Sequence, residues 1–240
     1  YRTSAFALVA GTPALAQDGG GLTVVWAEDS NSDTTFDPRV TQSRHEEQVI
    51  AQMFDQLVVA DSAGEIYPGL AKSWEVSDDQ TSITFELRDD VTFHDGTPFN
   101  AEAVKFTLDS IKDPALGSQG AVDIMGPYAS SEVLGDYTIK VNYERPFPAG
   151  LGTFTENELS PVSPTAVKEK GDNGFAQAPV GTGPFKFVSW EKGREVILER
   201  NEDYNWAPEF MDNEGPSKVA KIIHRYVPDA STRVAALEAG

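Results

Sequence analysis

The chain has 240 residues and no cysteine, and its 38 acidic against 19 basic side chains give a formal net charge of -19. That charge repels nucleic-acid phosphates and anionic lipid, so neither is an expected partner. The missing cysteines remove disulfides, thiolate metal sites and cysteine nucleophiles together, while 40% apolar and 24% charged residues are ordinary for a folded chain.

A short apolar run over residues 5–10 is broken at Gly11-Thr12-Pro13 and followed by Ala14-Leu15-Ala16. An A-x-A triplet after an apolar stretch marks the tail of a secretory signal peptide, so residues 1–16 are expected to be its remainder, cleaved after Ala16. No Met precedes this run and Arg2 is its only basic residue, so the sequence is expected to begin inside the peptide. Gln17-Asp18 and the glycines after them read as a flexible mature start. No later stretch reaches the roughly 18 apolar residues of a membrane span. A periplasmic or otherwise extracytoplasmic location follows, with no membrane insertion.

Leu22-Thr23-Val24-Val25-Trp26 reads as a buried strand, followed by a polar loop over 28–37. Val49, Ile50, Met53 and Phe54 share one face of a helix over 46–54. Residues 57–59 form a short strand and Asp61-Ser62-Ala63-Gly64 a turn. Trp74 and Val76, then Ile83, Phe85 and Leu87, alternate with polar neighbours. They predict a hairpin with one buried face, anchored by Trp74 and Phe85. Asp95-Gly96 supplies a tight turn beside His94. Asn100 is placed to cap a helix whose core face carries Val104, Leu108 and Ile111.

Residues 113–127 read as loop, Tyr137, Ile139, Val141 and Tyr143 as a strand, and 146–164 as a Pro-rich irregular crossing. Gly181-Thr182-Gly183-Pro184 opens a second hairpin. One arm holds Phe185, Phe187 and Ser189, the other Val196 and Leu198, with Glu191-Lys192-Gly193 at the bend. Residues 220–227 read as a strand, and Asp229 as the cap of a last helix through Val234 and Leu237. Hairpins and helices without a regular βαβ alternation predict a mixed α/β (α+β) fold with more than one lobe.

No catalytic constellation emerges. His45, His94 and His224 are isolated in sequence, with no second ligand at metal spacing, so neither a metal nor another cofactor is expected. Gly181-Thr182-Gly183 lacks the Lys-Ser/Thr pair and the following helix of a phosphate loop, and reads as a structural bend. There is no G-x-S-x-G elbow.

Five segments carry a more specific signal. The first is Tyr67-Pro68-Gly69-Leu70-Ala71-Lys72-Ser73-Trp74-Glu75-Val76. The second joins Phe85-Glu86-Leu87-Arg88 to Val91-Thr92-Phe93-His94-Asp95-Gly96-Thr97-Pro98-Phe99-Asn100-Ala101-Glu102-Ala103-Val104. The third is Pro179-Val180-Gly181-Thr182-Gly183-Pro184-Phe185, and the fourth Leu198-Glu199-Arg200-Asn201-Glu202-Asp203-Tyr204. The last is Pro228-Asp229-Ala230-Ser231-Thr232-Arg233 with Ala235-Ala236-Leu237-Glu238-Ala239-Gly240. In this order they resemble the family 5 extracytoplasmic solute-binding proteins of ABC importers, which take up oligopeptides, dipeptides, nickel complexes and some oligosaccharides. One departure is Lys105, where the family often has a second acidic residue early in the helix.

The resemblance implies a periplasmic-binding-protein-like type II (cluster C) fold of two lobes that close on a solute. By that comparison residues 17–54 and 163–240 belong to the first major lobe, residues 55–162 to an inserted lobe, and the second major lobe lies outside these residues. It also implies a monomer that captures a solute for an ABC permease, without turnover. The loop after the first strand is the candidate wall of the site, with Asp33, Thr34 and Thr35. The resemblance adds the loops around Gln119 and around Glu158 and Ser160. A peptide is the expected cargo, being the family's commonest. Nickel chelates, opines and short oligosaccharides stay open, as do a secreted hydrolase and a sensor that presents its solute to a receptor.

Overall fold

The computed structural model describes residues 15–18, 21–29, 33–211, 213 and 215–239. The apolar run over 5–10 and Ala14 lie outside them. Leu15 and Ala16 do not: they belong to strand β1 (Leu15–Asp18), which pairs antiparallel with β2 (Gly21–Glu28). After the loop come helix α1 (Arg44–Met53) and a two-stranded ribbon, β3 (Val58–Ala60) with β4 (Ile66–Pro68). The predicted hairpin is β5 (Ala71–Val76) and β6 (Ser82–Leu87). Trp74 stands opposite Phe85, and Phe85 is buried edge-on against Phe154 at 4.9 Å between centroids.

Helix α2 (Ala101–Lys112) starts where Asn100 predicts, with the Asn100 side chain accepting from Ala103 N, and buries Val104, Leu108 and Ile111. Next come α3 (Gly120–Met125), β7 (Tyr128–Gly135), β8 (Thr138–Tyr143) and the short α4 (Gly150–Thr153), then a 3-10 turn at Asn157–Leu159. Helix α5 (Pro164–Phe175) precedes the second hairpin, β9 (Phe185–Glu191) and β10 (Glu195–Arg200). Strand β11 (Val219–Tyr226) and helix α6 (Ala230–Ala239) follow. Asp229 caps α6, its Oδ1 accepting from Thr232 N at 2.7 Å.

Four expectations need correction. Gln17 and Asp18 do not form a flexible start, because they pair with Leu22 and Gly21 as part of β1. Residues 113–127 are not all loop, because α3 buries Ala121 and Met125 one turn apart. Gly117 and Gly126, both at positive φ, flank it and disguise six helical residues as turn chemistry. The crossing over 146–164 is less irregular than its prolines suggest, since it holds α4 and the 3-10 turn. The first strand is real but not buried along its length: Val25 is 37% and Trp26 53% exposed. Three further elements, β4, β7 and α5, had no counterpart in the sequence reading. Strand β7 runs along a sheet edge with polar residues Ser130, Ser131 and Glu132, which hide its period. Helix α5 does carry a start signal, a Ser163 cap followed by Pro164 in the first turn.

Two sheets organise these elements. One has the order β1-β2-β11-β10-β9, in which β2 and β11 run parallel and every other pair is antiparallel. The other, β5-β6-β8-β7, is wholly antiparallel. Helix α1 packs on the first sheet and α2 on the second.

The two parts of the chain meet at Gly181-Thr182-Gly183. Gly183 N donates to Met53 O at 2.9 Å, and His94 N donates to Gly181 O at 2.9 Å. A Cβ on Gly181 would lie 2.1 Å from Met53 O, and one on Gly183 2.5 Å from the Met53 carbonyl carbon. Glycine is needed here for space, as a structural bend rather than a phosphate loop. Asp55, next to this crossing, accepts from Thr182 Oγ1 (2.9 Å), Tyr204 OH (3.0 Å) and Trp206 Nε1 (3.0 Å). Burial raises its pKa, and these three bonds oppose the rise.

Arg39 makes a second tie. Its guanidinium is buried, takes both oxygens of Asp37, and reaches Ser110 of α2 and Asp172 of α5 at 3.0 Å each. A planar fork with several donors can satisfy all these oxygens at once.

Gly181→Ala should therefore destabilise the fold by about 3 kcal/mol or more, whereas Gly152→Ala, where nothing lies within 4 Å of the added Cβ, should be neutral or slightly stabilising; urea denaturation compares them. His94 gives a pH prediction. Its Nε2 lies 2.9 Å from Gly183 O, and burial lowers its pKa from 6.5 to about 4. The unfolded chain takes up this proton as pH falls through 6.5 and the folded chain only near 4, so stability drops across that window. His94→Gln, which keeps a donor for Gly183 O, should remove up to about 3 kcal/mol of that drop, read from unfolding midpoints at pH 7 and pH 4.

Candidate functional site

Strands β2 and β11 are parallel, so their carboxy ends, at Glu28 and Tyr226, reach the same edge of the sheet. Ligands of open α/β sheets bind outside such carboxy ends. Parallel register places Ile222 beside Val24, His224 beside Trp26 and Tyr226 beside Glu28. Ile222, His224 and Tyr226 are the buried side chains of β11, and a buried polar group needs a partner.

The partners form a continuous chain. Gln52 Oε1 of α1 lies 3.2 Å from His224 Nε2, and His224 Nδ1 lies 2.5 Å from Glu28 Oε1. The other oxygen of Glu28 meets His45 Nε2. His45 Nδ1 lies 2.6 Å from Asp33 Oδ1, and Tyr226 OH donates to Asp33 Oδ2. Burial, then the bond and charge of Asp33, raise the Tyr226 phenol above its usual range. The two histidines that look isolated in sequence are thus joined through one carboxylate. Their positions on β11 and α1 are far apart in the chain, and only the parallel pairing brings them together.

The candidate loop is held from below. Glu46 is buried, and its Oε1 accepts from Thr34 N (2.7 Å), Thr34 Oγ1 (3.1 Å) and Thr35 N (3.2 Å). Its Oε2 accepts from Thr41 Oγ1 at 2.8 Å. Asp33 and Thr35 are buried, Thr35 Oγ1 accepting from Asp37 N, while Thr34 is exposed.

The other candidates lie beside the loop before α1 or beside the end of α1. Gln119 is exposed at the start of α3 and makes no capping bond. Its neighbour Ser118 donates to Arg39 O at 2.6 Å. Glu158 lies half-buried in the 3-10 turn, which is tied to the end of α1 by Gln56 donating to Asn157 Oδ1. Burial raises the Glu158 pKa, with Glu47 and Glu156 adding to the rise. Ser160 is fully buried, and its Oγ has no partner among the described residues. The fold therefore ties residues 118–120 to the loop over 33–41, and the turn over 157–160 to α1 and the residues just after it.

A cavity of about 410 Å³ opens beside Glu28 and His45, walled by Trp26, Arg44, Gln48 and Arg233. None of the six candidates lines it. Sequence reasoning set His45 and His224 aside as isolated and did not single out Glu28 or Tyr226. Period 2 along β11 was the available signal, since it places His224 and Tyr226 on the Ile222 face and so calls for polar partners.

Comparison with known proteins defines the class. The profile of bacterial extracellular solute-binding proteins, family 5 Middle, matches residues 65–240. The chain belongs to this family. It is 33% identical over 237 residues to the glutathione-binding protein GsiB of Escherichia coli K12, covering 98% of this chain and 43% of GsiB. DppA of Helicobacter pylori, solved with the peptide STSA, superposes with a TM-score of 0.78 at 30% identity, over 91% of this chain and 45% of DppA. NikZ of Campylobacter jejuni, solved with Ni(L-His), gives 0.78 at 29% identity, over 91% of this chain and 42% of NikZ. The mixed α/β fold is that of type II periplasmic binding proteins, and the chain spans less than half the length of these relatives.

Glu46→Ala should speed hydrogen exchange at the Thr34 and Thr35 amides and cost about 2 kcal/mol or more, because it leaves several donors without an acceptor. Glu46→Gln keeps one amide oxygen for those donors and should retain most of the protection. Equal exchange in the alanine variant and the wild type would show that Glu46 does not hold the loop.

Proposed function

We propose that the protein captures a peptide-like solute outside the cytoplasm and delivers it to an ABC permease, without chemical turnover. The observation that carries this reading is the superposition of 91% of the chain on DppA bound to a peptide, at 30% identity. The match to a glutathione-binding protein over 98% of the chain supports a peptide-like cargo, because glutathione is itself a tripeptide. Among the described residues no helix is long and apolar enough to cross a membrane.

In this reading residues 17–54 and 163–240 form part of one lobe, and residues 55–162 an inserted lobe. The first sheet draws its strands from both ends of the chain and the second lies wholly between 71 and 143, which supports that division. A second major lobe outside these residues is in keeping with the 43% of GsiB that the chain covers. Thr34, Gln119 and Glu158 face the solute, while Asp33, Thr35 and Ser160 shape the wall behind them. Residues 1–16 act as the export leader. The protein acts as a monomer.

Closure excludes water from the solute and strengthens each polar contact. One lobe alone leaves its wall wet, so its groups contribute little net affinity. The test is calorimetry on the complete protein with glutathione, the peptide STSA and Ni(L-His), repeated on the 240-residue chain. Binding by the complete protein, much weaker in the chain, is expected. Steady cleavage of the peptides by pure protein would overturn the capture reading in favour of a hydrolase.

A further inference from the structure

We propose that the cavity between the end of β2 and the first turn of α1 binds the carboxylate end of a zwitterionic, amino-acid-like solute, with Trp26 as platform and Arg44 as anion anchor. This rests on the solute-capture reading and adds the chemistry of the group recognised.

The volume of about 410 Å³ suits a small solute. Trp26 presents an indole that is 53% exposed and lines the cavity. The ring is held, since it stacks on the buried His224 at 5.8 Å between centroids and 13° between planes. A fixed aromatic face loses little freedom when a ligand packs on it.

Arg44 stands on the same wall, exposed at the start of α1. Acidic residues outnumber basic ones two to one in this chain, and Arg39, Arg88, Arg194, Arg200 and Arg225 each hold a carboxylate. Among the described residues Arg44 holds none. Its guanidinium is free to take an incoming carboxylate in the two-bond geometry that the planar fork favours. Gln48, one turn on, adds an amide on the same helix face.

Arg233 brings a second guanidinium to the lining. Arg233 is fixed there by Nη1 donating to Val227 O (2.6 Å) and Pro228 O (3.0 Å). The cavity also holds a buried acid, Glu28, whose oxygens meet His45 and His224. Asp29 remains, exposed on the rim. Two acids beside two guanidiniums match a solute that carries both a carboxylate and an ammonium better than a simple dianion.

The experiment follows the Trp26 indole signal by two-dimensional NMR, assigned through Trp26→Phe among the four tryptophans. Into the complete protein go glutathione, the dipeptide Met-Leu, its C-terminal amide, and inorganic phosphate. The free-carboxylate probes should shift the signal saturably, and the amide and phosphate should bind at least about tenfold more weakly. Arg44→Gln should bring Met-Leu down to the level of its amide, while Arg145→Gln, at an exposed arginine away from the cavity, should change nothing. Equal binding of Met-Leu and its amide, no saturable shift with any probe, or full binding in Arg44→Gln would overturn the assignment. Calorimetry separates the two readings. Unchanged affinity in Arg44→Gln and Trp26→Phe sinks the cavity assignment and leaves solute capture standing, whereas peptide turnover by the wild type sinks capture itself.

Discussion

The backbone crossing at Gly181 and Gly183 governs where the rest of the chain can sit. Two segments approach there until no Cβ fits between them. The approach aligns the end of α1, the turn at His94 and the start of β9, which come from three separate stretches of sequence. Asp55 then finds Thr182, Tyr204 and Trp206 within reach, and a carboxylate that would be costly to bury alone is compensated by three donors. Loss of the crossing would scatter those donors and leave the charge unpaired, so local geometry and buried electrostatics depend on each other.

The same logic recurs at the carboxy ends of β2 and β11. A protein with 38 acidic residues could leave them all in water, yet Glu28, Asp33, Asp37 and Glu46 are buried. Each is met by donors from a distant part of the chain or from a loop it shapes. Acceptors beneath a loop fix its backbone without occupying its outer face. That arrangement suits a wall that must keep its shape while its exposed groups exchange water for solute.

Polar ties also join segments far apart in the chain. Arg39 links the loop after β2 to α2 and α5, and its guanidinium lies over the Phe175 ring. Ser163 both caps α5 and donates to Asp95 at 2.6 Å. These are point contacts between loops and helices that pack about one hydrophobic core.

Much of the local structure was legible in the sequence. Period-2 alternation located both hairpins and β8, period 3.6 located the faces of α1 and α2, and Asn100 and Asp229 marked helix starts, because each signal depends on near neighbours. Elements with weak local signals went unseen, such as α3 between two glycines and the polar edge strand β7. The family was legible too, since its motifs are contiguous. The polar network was not. Asp33, Thr34 and Thr35 could be named as a loop, but nothing local says that Asp33 meets His45 and Tyr226 or that Glu46 turns under Thr34. His45 and His224 look solitary because hydrogen bonding acts over about 3 Å of space, whatever the separation in sequence. Only the parallel pairing of β2 with β11, and the helix laid across it, brought those groups within that distance.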